Sequence, residues 1–173
     1  MFKHEIQVIK FLLQWYSVNA RVLPWRKLNN LNLPYPYFVF VSEYMLQQTT
    51  VNTVKNKFND FILKWPTVNN LAQISEPNIL KFWSGLGYYS RARNLLKSAK
   101  IINKNFKNKI PQVYDELIKL PGIGDYTAKA ILGIGFNKSV MPLDANIERI
   151  LVRLHAIDKP INKVKIKLKD LGN

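Results

Sequence analysis

Apolar residues recur at helical spacing along nearly the whole chain, and prolines and glycines cut that pattern into short pieces. This confines the chain to an all-α fold of many short helices, with no repeats and no long linker. Ile6, Ile9, Phe11, Leu12, Leu13 and Tyr16 predict an amphipathic helix over residues 5–18, ending near Asn19. "LPWRKLNNLNLPYPYF" carries three prolines and reads as a loop. Met45, Val51, Val54, Phe58, Phe61 and Ile62 fit a helix from Ser42 to Lys64 with an internal break. Further helices are expected at 68–73, from Glu76 to Trp83, from Ser90 to Asn105, from Asp115 to Lys119 and from Thr127 to Ile134. Ser75 and Pro77 suit the start of the second of these, and Gly85 and Gly87 suit the turn after it. Asp144 suits the N-cap of a last helix through Ile147, Ile150, Leu151 and Leu154. "VKIKLK" alternates with period two, but it is too short and too close to the end of the sequence to predict a strand.

The chain has 173 residues, enough for one domain with a real core. Subtracting 11 acidic from 26 basic residues leaves a net charge of +15. Eight Lys or Arg and no Asp or Glu lie between Lys81 and Lys109. Such a balance points to a polyanionic partner, a nucleic acid or an anionic membrane surface. The membrane reading is the weaker, because the basic residues are not set against one apolar helix face. No apolar run approaches the roughly 20 residues that span a bilayer, and "MFKHEIQVIK" lacks the features of a signal peptide. The chain reads as soluble and intracellular. It contains no cysteine, so it supplies no disulfide, catalytic thiol or thiolate metal site. His4 and His155 lie far apart without acidic neighbours and read as ordinary histidines.

In "LPGIGDYTAKAI", Gly122 and Gly124 allow positive φ and close approach of another molecule. Exposed N–H groups there, with the start of the next helix, form an anion site, and on this basic chain the anion is a nucleic-acid phosphate. The alternative is a plain helix connector. Glu43, in "VFVSEYMLQQTT", and Asp144, in "VMPLDANIERI", both follow apolar runs in a chain short of acids. A carboxylic acid in an apolar pocket keeps its proton near neutral pH, and a neighbour in a more polar place stays ionised. Such a pair suits cleavage of a glycosidic bond. The alternatives are a surface glutamate on an amphipathic helix and a simple N-cap aspartate.

"LPWR", "SEYMLQQTTV", "WPTV", "GLGYYSRARNL", "LPGIGDYTAKAI" and "PLDANIERILVR" occur in this order. Over about residues 8–157, the chain resembles adenine DNA glycosylases of the MutY type, within the helix-hairpin-helix superfamily that also holds endonuclease III. The resemblance implies a base-excision-repair enzyme that removes adenine mispaired with 8-oxoguanine or guanine after flipping it from double-stranded DNA. It implies that Glu43 is the general acid on adenine and that Asp144 stabilises the cationic sugar. Asn146 lies beside Asp144, and Tyr126 lies over the site. Gln48 fills the space left by the base, with Leu46 and Thr49 nearby. Tyr88 wedges beside 8-oxoguanine, while Tyr88 or Tyr89 alternatively belongs to the core. Arg26, Gly122, Gly124 and Thr127 complete the implied DNA contacts. Lyase relatives carry lysine where this chain has Tyr126, which has no amine to form a Schiff base, so a monofunctional enzyme using water is expected. Lys129 is about 60° around the helix and reads as a phosphate-facing or solvent lysine.

By the resemblance, residues 24–136 form a six-helix barrel module with its hairpin at 117–131, and 1–22 with 137–173 belong to a second lobe. The family continues into a four-cysteine loop holding a [4Fe-4S] cluster and a domain that reads 8-oxoguanine. Both are expected to lie beyond this chain, leaving the second lobe with uncovered apolar surface. The expected molecule is a cytoplasmic, nucleoid-associated monomer of bacterial type. "LNNLNL" lengthens the loop after "LPWR", and "LDAN" stands where the family has "LDGN". An endonuclease III-like lyase and a non-catalytic DNA-binding remnant are the competing readings.

Overall fold

A computed structural model of the chain describes residues 3–161, 163, 164 and 168. Among these residues there are nine α-helices and no strand beyond an isolated bridge between Leu28 and Pro34. The helices are α1 (Lys3–Asn19), α2 (Pro36–Leu46), α3 (Val51–Lys64), α4 (Val68–Ala72), α5 (Glu76–Trp83), α6 (Ser90–Asn105), α7 (Tyr114–Leu117), α8 (Asp125–Ala130) and α9 (Ala145–Leu154). A 3-10 turn spans Pro24–Arg26, and a π segment at Ile131–Gly135 continues α8. None of the described helices is long and apolar enough to cross a membrane.

The helix starts follow from local chemistry. Thr50 and Thr67 accept hydrogen bonds from the backbone N–H of Thr53 and Asn70, at 3.4 and 3.2 Å. Proline opens α2 and α5, where its missing donor costs nothing. Ser75 occupies the N-cap position of α5, but its side chain makes no capping bond. Helix α2 begins at Pro36, inside the stretch expected to be a loop and six residues before Ser42. The expected break falls at Gln47–Thr50. The helix expected from Thr127 instead starts at Asp125 and widens into the π segment. The alternating segment near the end lies mostly outside the described residues, although Val164 and Leu168 are helical and buried.

The main hydrophobic cluster runs from Leu23 to Leu132. Phe61, Trp65 and Phe82 meet edge-on around one corner, and Trp25 meets Phe58 in the same way. Helix α6 packs on α4 and α5, while α2 packs on α3, α6 and the π segment. Seven consecutive residues of α2, Val39 to Met45, are buried, because the helix is apolar nearly all round and covered on every side. Helix α1 is the opposite case: Phe11, Leu12, Leu13 and Trp15 are each about 60% exposed. A link from α1 to the body runs through Tyr16, whose hydroxyl oxygen accepts a 2.6 Å hydrogen bond from Arg26.

Candidate active site and nucleic-acid interface

Glu43 lies in the fully buried stretch of α2 and is 8% exposed. Desolvation raises its carboxyl group to about 7, against an opposing pull from the Arg26 guanidinium. Tyr126, in the first turn of α8, is half-exposed. Burial raises its hydroxyl, and the charges of Glu43 and Asp144 add to the rise while Arg26 opposes it. The Tyr126 hydroxyl therefore lies within electrostatic reach of Glu43, Asp144 and Arg26. Glu43, Arg26 and Asp144 come from α2, the 3-10 turn and the cap of α9, and the charge of each acts on Tyr126 in α8.

Asp144 caps α9. One carboxylate oxygen accepts from the backbone N–H of Asn146 at 3.0 Å and of Ile147 at 2.8 Å. Two backbone donors at a helix start suit a negative charge. The Asn146 side-chain amide approaches the other oxygen at 3.5 Å, and its own carbonyl oxygen accepts from Arg149 at 3.1 Å. N-capping and a place beside Tyr126 are thus not alternatives for Asp144, whose charge reaches the Tyr126 hydroxyl while its carboxylate caps α9.

A second group of residues sits on two loops. Gln48, in the break after α2, and Tyr88, in the turn before α6, are both exposed, and both hold left-handed backbones at φ 57° and 47°. Leu46 and Thr49 are half-buried beside Gln48. Neither Tyr88 nor Tyr89 belongs to the core, since they are 60% and 42% exposed.

The "LPGIG" hairpin joins α7 to α8. Gly122 has φ +80°, and a Cβ there would come within 2.9 Å of Asn94 and 3.1 Å of Tyr44, so both conformation and space demand glycine. Gly124 differs from expectation: its φ of −98° is open to any residue, and nothing crowds it. The hairpin is tied to α2 by hydrogen bonds from the Tyr44 hydroxyl to Pro121 O at 2.5 Å and from the Gln47 amide to Gly122 O at 3.1 Å. Thr127 is buried, at 6% exposed. Lys129 does not point freely outward; it pairs with Asp125 at 3.4 Å.

Sequence reasoning missed Arg91. It is 4% exposed and donates hydrogen bonds to both loops. The available signal was its phase: Arg91 stands on the α6 face of Leu95 and Ala99, where a charge has no reason to be unless something accepts from it.

Residues 41–172 match the family of HhH-GPD superfamily base excision DNA repair proteins. The chain belongs to this superfamily. It is 44% identical to the adenine DNA glycosylase of Buchnera aphidicola subsp. Schizaphis graminum, over 92% of this chain and 45% of that protein. It is 39% identical to the adenine DNA glycosylase of Homo sapiens, over 91% of this chain and 30% of that protein. The chain therefore spans less than half the length of these relatives. Its fold superposes on an endonuclease III–DNA covalent intermediate with a TM-score of 0.74 at 20% identity, covering 98% of this chain and 76% of that one. A thermostable thymine-DNA glycosylase gives the same score at 25% identity, covering 83% and 64%. An iron–sulfur cluster does not fit the residues present. The chain has no cysteine, and among the described residues no three His, Asp or Glu side chains group as metal ligands.

Proposed function

We propose that the chain carries the catalytic site of a monofunctional adenine DNA glycosylase acting on adenine opposite 8-oxoguanine or guanine. The single observation that carries this reading is Glu43, a buried carboxyl group raised to about 7, whose charge acts, as does that of Asp144, on the Tyr126 hydroxyl. Glu43 delivers its proton to the adenine ring, which leaves as a neutral base. Asp144 faces the oxocarbenium-like sugar, and its capping bonds hold it in place. Water completes the hydrolysis, because Tyr126 offers no amine for a covalent sugar adduct.

DNA binding is electrostatic in the main, as a chain of net charge +15 dictates. The exposed backbone at Gly122 and Gly124 meets a phosphate beside the target nucleotide, and Gln48 and Tyr88 enter the stack where adenine is displaced. The protein works as a monomer. The deciding experiment is single-turnover cleavage of a duplex with one 8-oxoguanine:adenine pair. Adenine release by the parent protein, lost in Glu43→Gln and in Asp144→Asn, supports the reading. Absence of release by folded parent protein sinks it.

A further inference from the structure

Gln48 and Tyr88 lie forty residues apart in sequence, yet each is an exposed non-glycine residue in the left-handed region. Side chains avoid that conformation unless the surroundings impose it. Arg91 touches both places. Its Nη1 donates to Tyr44 O at 3.2 Å and Met45 O at 2.8 Å, just before the Gln48 loop. Its Nη2 donates to Thr49 Oγ1 at 2.8 Å, Leu86 O at 2.7 Å and Gly87 O at 3.1 Å. Thr49 Oγ1 in turn donates to Leu86 O at 3.3 Å, closing a ring between the loops. The guanidinium carbon is 5.6 Å from the Tyr88 ring and 5.6 Å from the Trp83 ring.

The partners of Arg91 are carbonyl and hydroxyl oxygens and aromatic faces. Tyr44 O and Met45 O are among the last carbonyls of α2, which have no donor within their own helix and sit at its negative end. The charge of Arg91 is thus met by backbone dipoles that need donors. A planar fork reaches all five acceptors at once; a single ammonium group cannot.

We propose that Arg91 is a positioning residue that locks the two loops into one rigid wedge, so that Gln48 and Tyr88 enter DNA together and extrude the target base. This rests on the reading of the chain as a base-flipping protein, and the test separates extrusion from chemistry. The probe is a duplex with 2-aminopurine, whose fluorescence rises on unstacking, in the target position opposite 8-oxoguanine. It is measured on proteins carrying Glu43→Gln so that no cleavage intervenes.

Adding Arg91→Lys is expected to lower the fluorescence rise about tenfold, while duplex binding read by anisotropy changes by less than about threefold. With Glu43 intact, Arg91→Lys should lose clearly less of the parent rate on adenine set opposite an abasic site than on adenine opposite 8-oxoguanine, because an unpaired adenine costs less to extrude. A purely structural role would depress both substrates alike and would overturn the proposal. So would an unchanged fluorescence rise. If Arg91→Lys does not unfold cooperatively, Thr49→Val, which removes one anchor only, must lower the rise; no change there overturns the proposal as well. Extrusion without cleavage by the parent protein removes the glycosylase chemistry and leaves the wedge standing. Absence of extrusion by the parent protein overturns the wedge.

Discussion

Glu43→Gln removes a carboxyl group that is tolerated in its pocket when neutral and costly when charged. Burial moves that group from 4.5 to about 7. At about 1.4 kcal/mol per pH unit, the gap amounts to about 3.4 kcal/mol. Below 4.5 the acid is protonated in the folded and unfolded chains alike, and the contribution of the neutral form is fully present. Between 4.5 and about 7 the unfolded chain releases the proton while the folded chain keeps it, so stability falls as pH rises. Above about 7 both are ionised and the full penalty stands. Glutamine does not titrate. The stability of Glu43→Gln relative to the parent should therefore climb by about 2.5 kcal/mol between about pH 5 and about pH 8. Urea unfolding of both proteins across that range reads the difference directly, and every other titrating group cancels. A difference that stays flat to within about 0.5 kcal/mol would refute burial as the origin of the raised value. The same proton governs rate: single-turnover cleavage should fall about tenfold per pH unit above about 7.

Arg26→Met withdraws the charge that opposes the rise at Glu43, so the falling limb of the pH–rate profile should move to higher pH. Gly122→Ala forces a Cβ against Asn94 and Tyr44 at positive φ; denaturant unfolding should show a loss of about 1–3 kcal/mol. Tyr126→Lys places an amine where the charges of Glu43 and Asp144 both act, and borohydride should then trap a covalent DNA adduct absent from the parent. Lys129→Ala breaks a partly exposed pair within one helix and should cost no more than about 0.5 kcal/mol by the same unfolding assay.

The helical architecture was legible because its signals are local: α5 and α6 run over the residues that periodicity indicates, and Asp144 caps α9 as its position suggests. The start of α2 was not legible. Three prolines between Leu23 and Phe38 look like a loop, but Pro36 sits in a first turn, and burial by α3, α6 and the π segment holds the helix that follows. Glu43 and Asp144 could be named from their apolar surroundings; that both charges act on Tyr126 could not, because about a hundred residues separate them. Arg91 escaped notice because its role depends on carbonyls from two other segments. Gly124 misled because two neighbouring glycines look alike in a sequence, while only Gly122 has positive φ.

Helix α2 has a consequence for how this sequence can change in length. Glu43 and the Gln48 loop are ends of one short ruler, with a rise of about 1.5 Å and a turn of about 100° per residue. Its far end is pinned by Arg91 and its side by Tyr44, which reaches Pro121. A substitution along it alters one contact. A single insertion between Glu43 and Tyr44 would swing the acid away from Tyr126 or drag both loops and the hairpin out of alignment. Residues 27–35 carry no such ruler: they lie between the 3-10 turn and α2 and close on themselves through Asn29, whose N–H donates to Leu33 O at 2.8 Å. Drift by insertion and deletion should therefore collect in that loop and spare the helix, even where the residues of the helix vary.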